Sequence, residues 1–78
     1  MPVKHRTKHL VGRINLVQEE RFRLVTQRGK AYLLALAYNS SISSDDLNEW
    51  HVKGSRVCVE YEGEPNLESC VVHKAHEC

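Results

Sequence analysis

Apolar and polar residues alternate in the first part of the chain, as they do in a half-buried β-strand. The alternation predicts a first strand from Lys8 to Val17. One face of this strand would carry Leu10, Gly12, Ile14 and Leu16. The same pattern predicts a second strand from Arg21 to Thr26, with Phe22 and Leu24 on one face. Gly12, in the middle of a strand, indicates a bulge or a sharp bend.

A turn and a third apolar run follow the second strand. The turn, Gln27 to Lys30, contains Gly29 where a short hairpin needs a positive φ. The next segment, Ala31 to Tyr38, is apolar throughout. Its composition also suits a helix, but its position directly after a hairpin favours a strand that is sheltered on both faces.

A helix start signal separates this run from the rest of the chain. A serine, Ser43 or Ser44, can cap free amide groups, and two aspartates follow where the helix dipole favours carboxylates. The pattern predicts a helix over Ser44–Trp50 that ends at the following Lys-Gly pair. Leu47 and Trp50 are three residues apart and share a face. We expect them to close one end of a barrel.

Two further strands complete the pattern. Residues from Gly54 to Glu62 alternate cleanly, and the last strand is predicted from Leu67 to about His76 after a turn. The predicted core consists of Ile14, Leu24, Leu33, Leu47, Val57, Val59 and Val72.

The resulting order, β-β-β-α-β-β, resembles the oligonucleotide/oligosaccharide-binding (OB) fold from Lys8 to His76. The supporting features are Gly12, the capped helix, and the segment Lys53–Val57 that leads into the fourth strand. The resemblance implies a mainly β fold, a small five-stranded Greek-key barrel with one short helix between strands 3 and 4. Barrels related to Src-homology domains are the alternative, and the helix disfavours them. The cold-shock family is disfavoured because its clustered aromatic residues are absent.

Length and composition indicate one small domain. With 78 residues, the whole chain (1–78) is expected to form a single unit with an ordered core from about residue 8 to 76. An apolar content of 41% with 27% charged residues is globular rather than disordered. No apolar run approaches the ~20 residues that span a bilayer, and the first eight residues are basic and polar. We therefore expect a cytoplasmic protein without a membrane partner.

The cysteine content also favours a cytoplasmic protein, where thiols stay reduced. Cys58, Cys70 and Cys78 are odd in number, which favours reduced thiols over an internal disulfide framework. Cys58 and Cys70 lie within apolar runs, where a thiol usually behaves as a small hydrophobic side chain.

The charge is unevenly distributed although the net charge is only +1. Eight of the eleven Lys and Arg residues lie at or before Lys30, whereas the acidic residues concentrate after Asp45. Cations beside an aromatic ring are typical of single-stranded nucleic-acid binders. The leading hypothesis is therefore weak, sequence-tolerant contact with single-stranded RNA or DNA. The predicted contact residues are Arg13, Arg21, Arg23, Arg28, Lys30 and Tyr32.

Two other kinds of binding stay open. One is a protein-interaction or assembly module that uses an exposed strand edge or a surface formed by Leu34 and Leu36. The other, less favoured, is a metal site, because imidazole and thiolate groups bind zinc or copper. Its candidate ligands are His5, His9, His73, His76 and Cys78.

No catalytic motif stands out, so we expect a non-enzymatic binding module that needs no cofactor.

Overall fold

A computed structural model describes residues 7–66 and 70–78 of the chain. Its elements follow the predicted order. They are β1 (Lys8–Gln18), β2 (Arg21–Thr26), β3 (Ala31–Ala35), α1 (Ser44–Lys53), β4 (Arg56–Glu62) and β5 (Val71–Glu77). The five strands form one sheet in the order β3-β2-β1-β4-β5, with antiparallel neighbours throughout. The mainly β class with one helix after the third strand is confirmed.

A bulge in β1 changes which residues face the core. Ile14 pairs with Leu24, but Leu16 pairs with Arg23, so Asn15 has no partner of its own on β2. Because one extra residue reverses the alternation, every later residue of β1 changes face. Val17 therefore packs against the core. The prediction that Leu16 shares a face with Ile14 is wrong, and the bulge lies after Ile14 rather than at Gly12.

Gly12 is required for a different reason, which is the close approach of β2. A Cβ atom at Gly12 would lie 2.3 Å from the carbonyl oxygen of Val25 and 3.2 Å from Cγ of Leu24. The first distance is far below van der Waals contact, and the obstructing atom belongs to the backbone. Only a residue without a Cβ fits between the strands at this point.

Strand β3 is shorter than predicted and has one face exposed. It ends at Ala35, and Tyr38 is fully exposed. Leu34 pairs with Phe22 and is 1% exposed, whereas Leu33 pairs with Arg23 and is 41% exposed. The prediction of Leu33 as a core residue is therefore wrong. A run without polar residues gives no indication of which alternate positions face inward.

The helix begins and ends as its sequence indicates. Ser43 is the N-cap residue, and its backbone N–H donates to Oδ2 of Asp46 at 3.0 Å. Gly54 ends the helix in the left-handed conformation, with a φ of 66°, and donates its N–H to the carbonyl oxygen of His51. Leu47 and Trp50 are buried in the core, as predicted.

The two outer strands of the sheet meet at one point beyond β3. Leu36 and Val72 form an isolated parallel bridge, and the N–H of Ala37 donates to the carbonyl oxygen of Val72 at 2.9 Å. Within residues 7–66 and 70–78 this contact does not extend into a continuous ladder, so the sheet is not closed. Closure into a barrel stays a prediction.

The remaining predicted core residues are buried. They are Ile14, Leu24, Leu47, Val57, Val59 and Val72. Cys70 joins them at 1% exposure, which agrees with its predicted role as a small hydrophobic residue. Burial raises the pKa of the Cys70 thiol above its ordinary value. Burial likewise raises the pKa of the Tyr61 hydroxyl.

Cys58 and Cys78 form a disulfide, with their Cα atoms 5.9 Å apart. The expectation of three reduced thiols is therefore wrong for this pair, and Cys58 is not simply a small hydrophobic residue. The pairing depends on strand register, because Cys58 lies opposite His76 and Cys78 lies just beyond β5. The backbone N–H of Cys78 donates to the carbonyl oxygen of Arg56 at 2.9 Å, which holds Cys78 beside β4. An odd number of cysteines therefore does not exclude one internal bridge.

Candidate nucleic-acid interface

Three of the predicted contact residues lie on the outer face of the sheet, which is the face opposite the core. Arg13 pairs with Val25 across β1 and β2. Arg21 and Arg23 alternate with the buried Phe22 and Leu24, so their side chains project away from the core. All three arginines are exposed. Arg23 donates from Nε to Oδ1 of Asn15 at 3.2 Å, so the bulge of β1 helps to position it.

Two more predicted residues lie in the turn between β2 and β3. Arg28 and Lys30 are both exposed. The turn is closed by a hydrogen bond from the N–H of Thr26 to the carbonyl oxygen of Lys30 at 2.9 Å, and Gly29 supplies the positive φ of 84°. Nζ of Lys30 lies 5.3 Å from the centre of the Tyr32 ring, within the range of a cation–π interaction.

The structure does not bring Tyr32 to the same face as the arginines. Tyr32 pairs with the buried Leu24 and packs, partly buried, against the core. The exposed large apolar side chains on the outer face are Leu33, 41% exposed, and Val11, 38% exposed. The partly buried Leu16 and Val25 lie opposite Arg23 and Arg13 on the same face. The face therefore combines cations with aliphatic groups rather than with Tyr32.

Arg56 extends this cationic face onto β4 and was not among the predicted contact residues. It lies directly opposite Arg13 in the β1–β4 register and is exposed. Its alternation with the buried Val57 already indicated an outward side chain. The alternation does not show which strand lies next to β4. Only the sheet order, in which β4 is beside β1 and not beside β3, places Arg56 next to Arg13.

The ion pairs of the described residues lie in the other half of the sheet. They are Lys8–Glu64, His9–Glu60, Lys53–Glu77 and His73–Glu62. Each acidic partner lies on β4, on β5 or in the turn after β4. Within residues 7–66 and 70–78, none of the arginines takes part in an ion pair. The exposed arginines of β1, β2 and β4 are therefore free of ion pairs within the described residues, although Glu19 and Glu20 lie next to Arg21 in the β1–β2 turn.

The carboxylate of Glu77 on β5 is held by a hydroxyl group and an ammonium group. Its Oε2 accepts from the Ser55 hydroxyl at 2.8 Å, and its Oε1 accepts from Nζ of Lys53 at 3.2 Å. The Ser55 hydrogen bond, followed by the Lys53 hydrogen bond, lowers the pKa of the Glu77 carboxyl below its ordinary value. Because this pKa is lowered on folding, the contribution to stability is present above the ordinary value and is lost as the pH falls through the lowered one.

The candidate metal ligands do not assemble in the described residues. Cys78 is in the disulfide, so it offers no thiolate. Nε2 of His73 lies 3.1 Å from Oε1 of Glu62, and Nε2 of His9 lies 3.6 Å from Oε1 of Glu60. In residues 7–66 and 70–78 no group of three or more possible ligands comes together. His5 lies outside the described residues.

The apolar surface suggested for a protein partner is also absent from its expected place. Leu34 is 1% exposed and Leu36 is 8% exposed, so both belong to the core. That prediction is wrong, because the outward residue of β3 is Leu33.

The described part of the chain contains no helix with the length and apolar character needed to cross a bilayer.

No protein-family model, curated protein sequence or solved structure matches this chain.

Proposed function

We propose that the chain is a non-enzymatic binding module that contacts single-stranded nucleic acid weakly and without strong sequence preference. In this proposal the sheet curls into an OB-like barrel, with the Leu36–Val72 bridge at the point of closure. The ligand lies across the outer face of β1 and β2, over Arg13, Arg21 and Arg23.

The observation that carries the proposal is that the arginines of this face form no ion pair in the described part of the chain. Arg13, Arg21 and Arg23 are exposed, share one face and take part in no ion pair within residues 7–66 and 70–78. Exposed guanidinium groups with free donors bind phosphate oxygens well because their planar geometry permits bidentate hydrogen bonds. A local cationic face explains how a chain of net charge +1 could bind a polyanion.

The composition of the face also supports weak, sequence-tolerant binding. Leu33 and Val11 can contact sugars and bases, but aliphatic groups distinguish bases poorly. Tyr32 faces the core, so stacking on it contributes only if the ligand reaches around the β2–β3 turn, where Lys30 lies. Most of the affinity would then come from phosphate contacts and would depend on salt.

We expect the double variant R21S/R23S to weaken binding to all single-stranded oligonucleotides and to reduce its dependence on salt. Each lost phosphate contact reduces the magnitude of the negative slope of log affinity against log salt by about 0.7 for a single strand, so two lost contacts reduce it by about 1.4. Fluorescence anisotropy with labelled homopolymer and mixed-sequence strands over a range of salt concentrations measures both quantities.

The matched control is K8S/K74S, which removes the same charge from the other half of the sheet. Equal losses in the two double variants would mean that only net charge matters and that the face has no particular role. If the unaltered protein shows no binding at low salt and high micromolar concentration, the nucleic-acid proposal fails and a protein partner at an exposed strand edge becomes the leading hypothesis.

A further inference from the structure

Two arginines face each other across neighbouring strands at one end of the outer face. Arg13 on β1 and Arg56 on β4 are direct partners in the antiparallel register. The Cβ atoms of such partners lie about 5 Å apart, and like charges in this position destabilise a sheet. Both side chains are exposed, so neither is held there by burial in the core.

No acidic group of the described residues forms an ion pair with either arginine. Arg13 and Arg56 take part in no ion pair within residues 7–66 and 70–78. Glu77, which pairs with Val57 beside Arg56, is held by Ser55 and Lys53 instead. The two arginines therefore face each other without an ion-pair partner among the described residues.

The same two arginines line a groove of about 500 Å³. The lining residues are Val11, Gly12, Arg13, Val25, Thr26, Gln27 and Arg56. None of them is acidic, and the side chain of Gln27 offers an additional amide donor. Nε of Arg13 donates to the carbonyl oxygen of Gly54 at 3.2 Å, which fixes the side chain and leaves its terminal N–H groups for a ligand.

We propose that this groove is a phosphate-binding site, with Arg13 and Arg56 as its two cationic ligands. An anion between them replaces repulsion by two charge-assisted interactions. The inference rests on the proposed function for the source of the phosphate, which is the backbone of a nucleic-acid strand. That strand continues from β2 across β1 onto β4, so Arg56 belongs to the interface.

The variant R56Q tests the site because it removes the charge and keeps a polar side chain. The first measurement is thermal unfolding with pyrophosphate or with chloride at equal ionic strength. We expect pyrophosphate to raise the melting temperature of the unaltered protein above that in chloride, since a ligand that binds the folded state stabilises it. We expect this difference to disappear in R56Q. In chloride at low ionic strength, R56Q should melt no lower than the unaltered protein, because the repulsion is gone.

The second measurement is oligonucleotide binding over a range of salt concentrations. Because one phosphate contact is lost, the negative salt slope of R56Q should be smaller in magnitude by about 0.7. The control K74Q removes one exposed cation from β5 and should change neither the slope nor the pyrophosphate effect. R56K keeps the charge but not the bidentate geometry, so it should retain part of both effects.

The outcomes separate this site from the proposed function. If the unaltered protein binds oligonucleotides but R56Q changes neither the slope nor the pyrophosphate effect, the site is overturned and the wider interface stands. If pyrophosphate stabilises the protein through Arg56 but no oligonucleotide binds, the phosphate site stands and the nucleic-acid function fails. If R56Q melts well below the unaltered protein in chloride and pyrophosphate has no effect on either, Arg56 is structural and the site is overturned.

Discussion

Replacing Gly12 with alanine should destabilise the folded protein by about 3 kcal/mol or more, at the upper end of the effects of overpacking. The added methyl group would lie 2.3 Å from the carbonyl oxygen of Val25. Since that oxygen is part of the β2 backbone, a rotamer change cannot relieve the clash. The two strands must separate, which disturbs the centre of the sheet. Chemical denaturation followed by circular dichroism measures the loss.

Val11→Ala is the matched control, because Val11 is the neighbour of Gly12 and points to the other face, 38% exposed. We expect it to cost less than about 1 kcal/mol, as substitutions at largely exposed positions do. A G12A variant as stable as the unaltered protein would show that β1 and β2 do not approach each other as closely as described.

Leu34→Ala should cost about 2–5 kcal/mol, whereas Leu33→Ala should cost less than about 1 kcal/mol. The two leucines are adjacent in sequence, but Leu34 is 1% exposed and packs opposite Phe22, while Leu33 is 41% exposed. Truncation of Leu34 leaves a cavity in the core, and truncation of Leu33 removes a side chain that solvent already reaches. Denaturation midpoints of the two variants, measured side by side, provide the comparison.

This pair of variants tests the register of β3 directly, and each residue serves as the control for the other. Similar losses at both positions would indicate a strand that is sheltered on both faces, as the apolar run first suggested. A larger loss at Leu33 than at Leu34 would reverse the assignment of the two faces.

The parts of the fold that could be predicted are those with a local signal. Strand β2 has the predicted bounds, Arg21–Thr26, because polar and apolar residues alternate through it. The helix was predicted from its serine cap and acidic first turn, and it extends three residues beyond Trp50 to the Lys53–Gly54 end. Long-range contacts decide the rest. The bulge at Asn15 exists only in relation to β2, and the phase of β3 depends on Phe22 and Arg23 across the sheet.

In the candidate site, too, the residues with a local signal could be predicted and those placed by long-range pairing could not. The concentration of cations before Lys30 indicated the cationic strands, and alternation placed Arg21 and Arg23 on one face. Tyr32 could not be assigned to a face, because it lies in an apolar run without alternation. Arg56 lies forty-three residues from Arg13 in the sequence, and only the pairing of β1 with β4 brings them together.

The disulfide between Cys58 and Cys78 also bears on how the edge of the sheet opens. Strand β5 is an edge strand, and such strands ordinarily open locally more easily than central strands. Here the end beyond Glu77 is covalently attached to the neighbouring strand at Cys58. Transient opening of β5 therefore cannot separate its Glu77 end from β4 while the bridge is intact. Amide protons near Glu77 should consequently exchange with solvent more slowly than their exposed edge position would otherwise allow, and reduction should remove that protection.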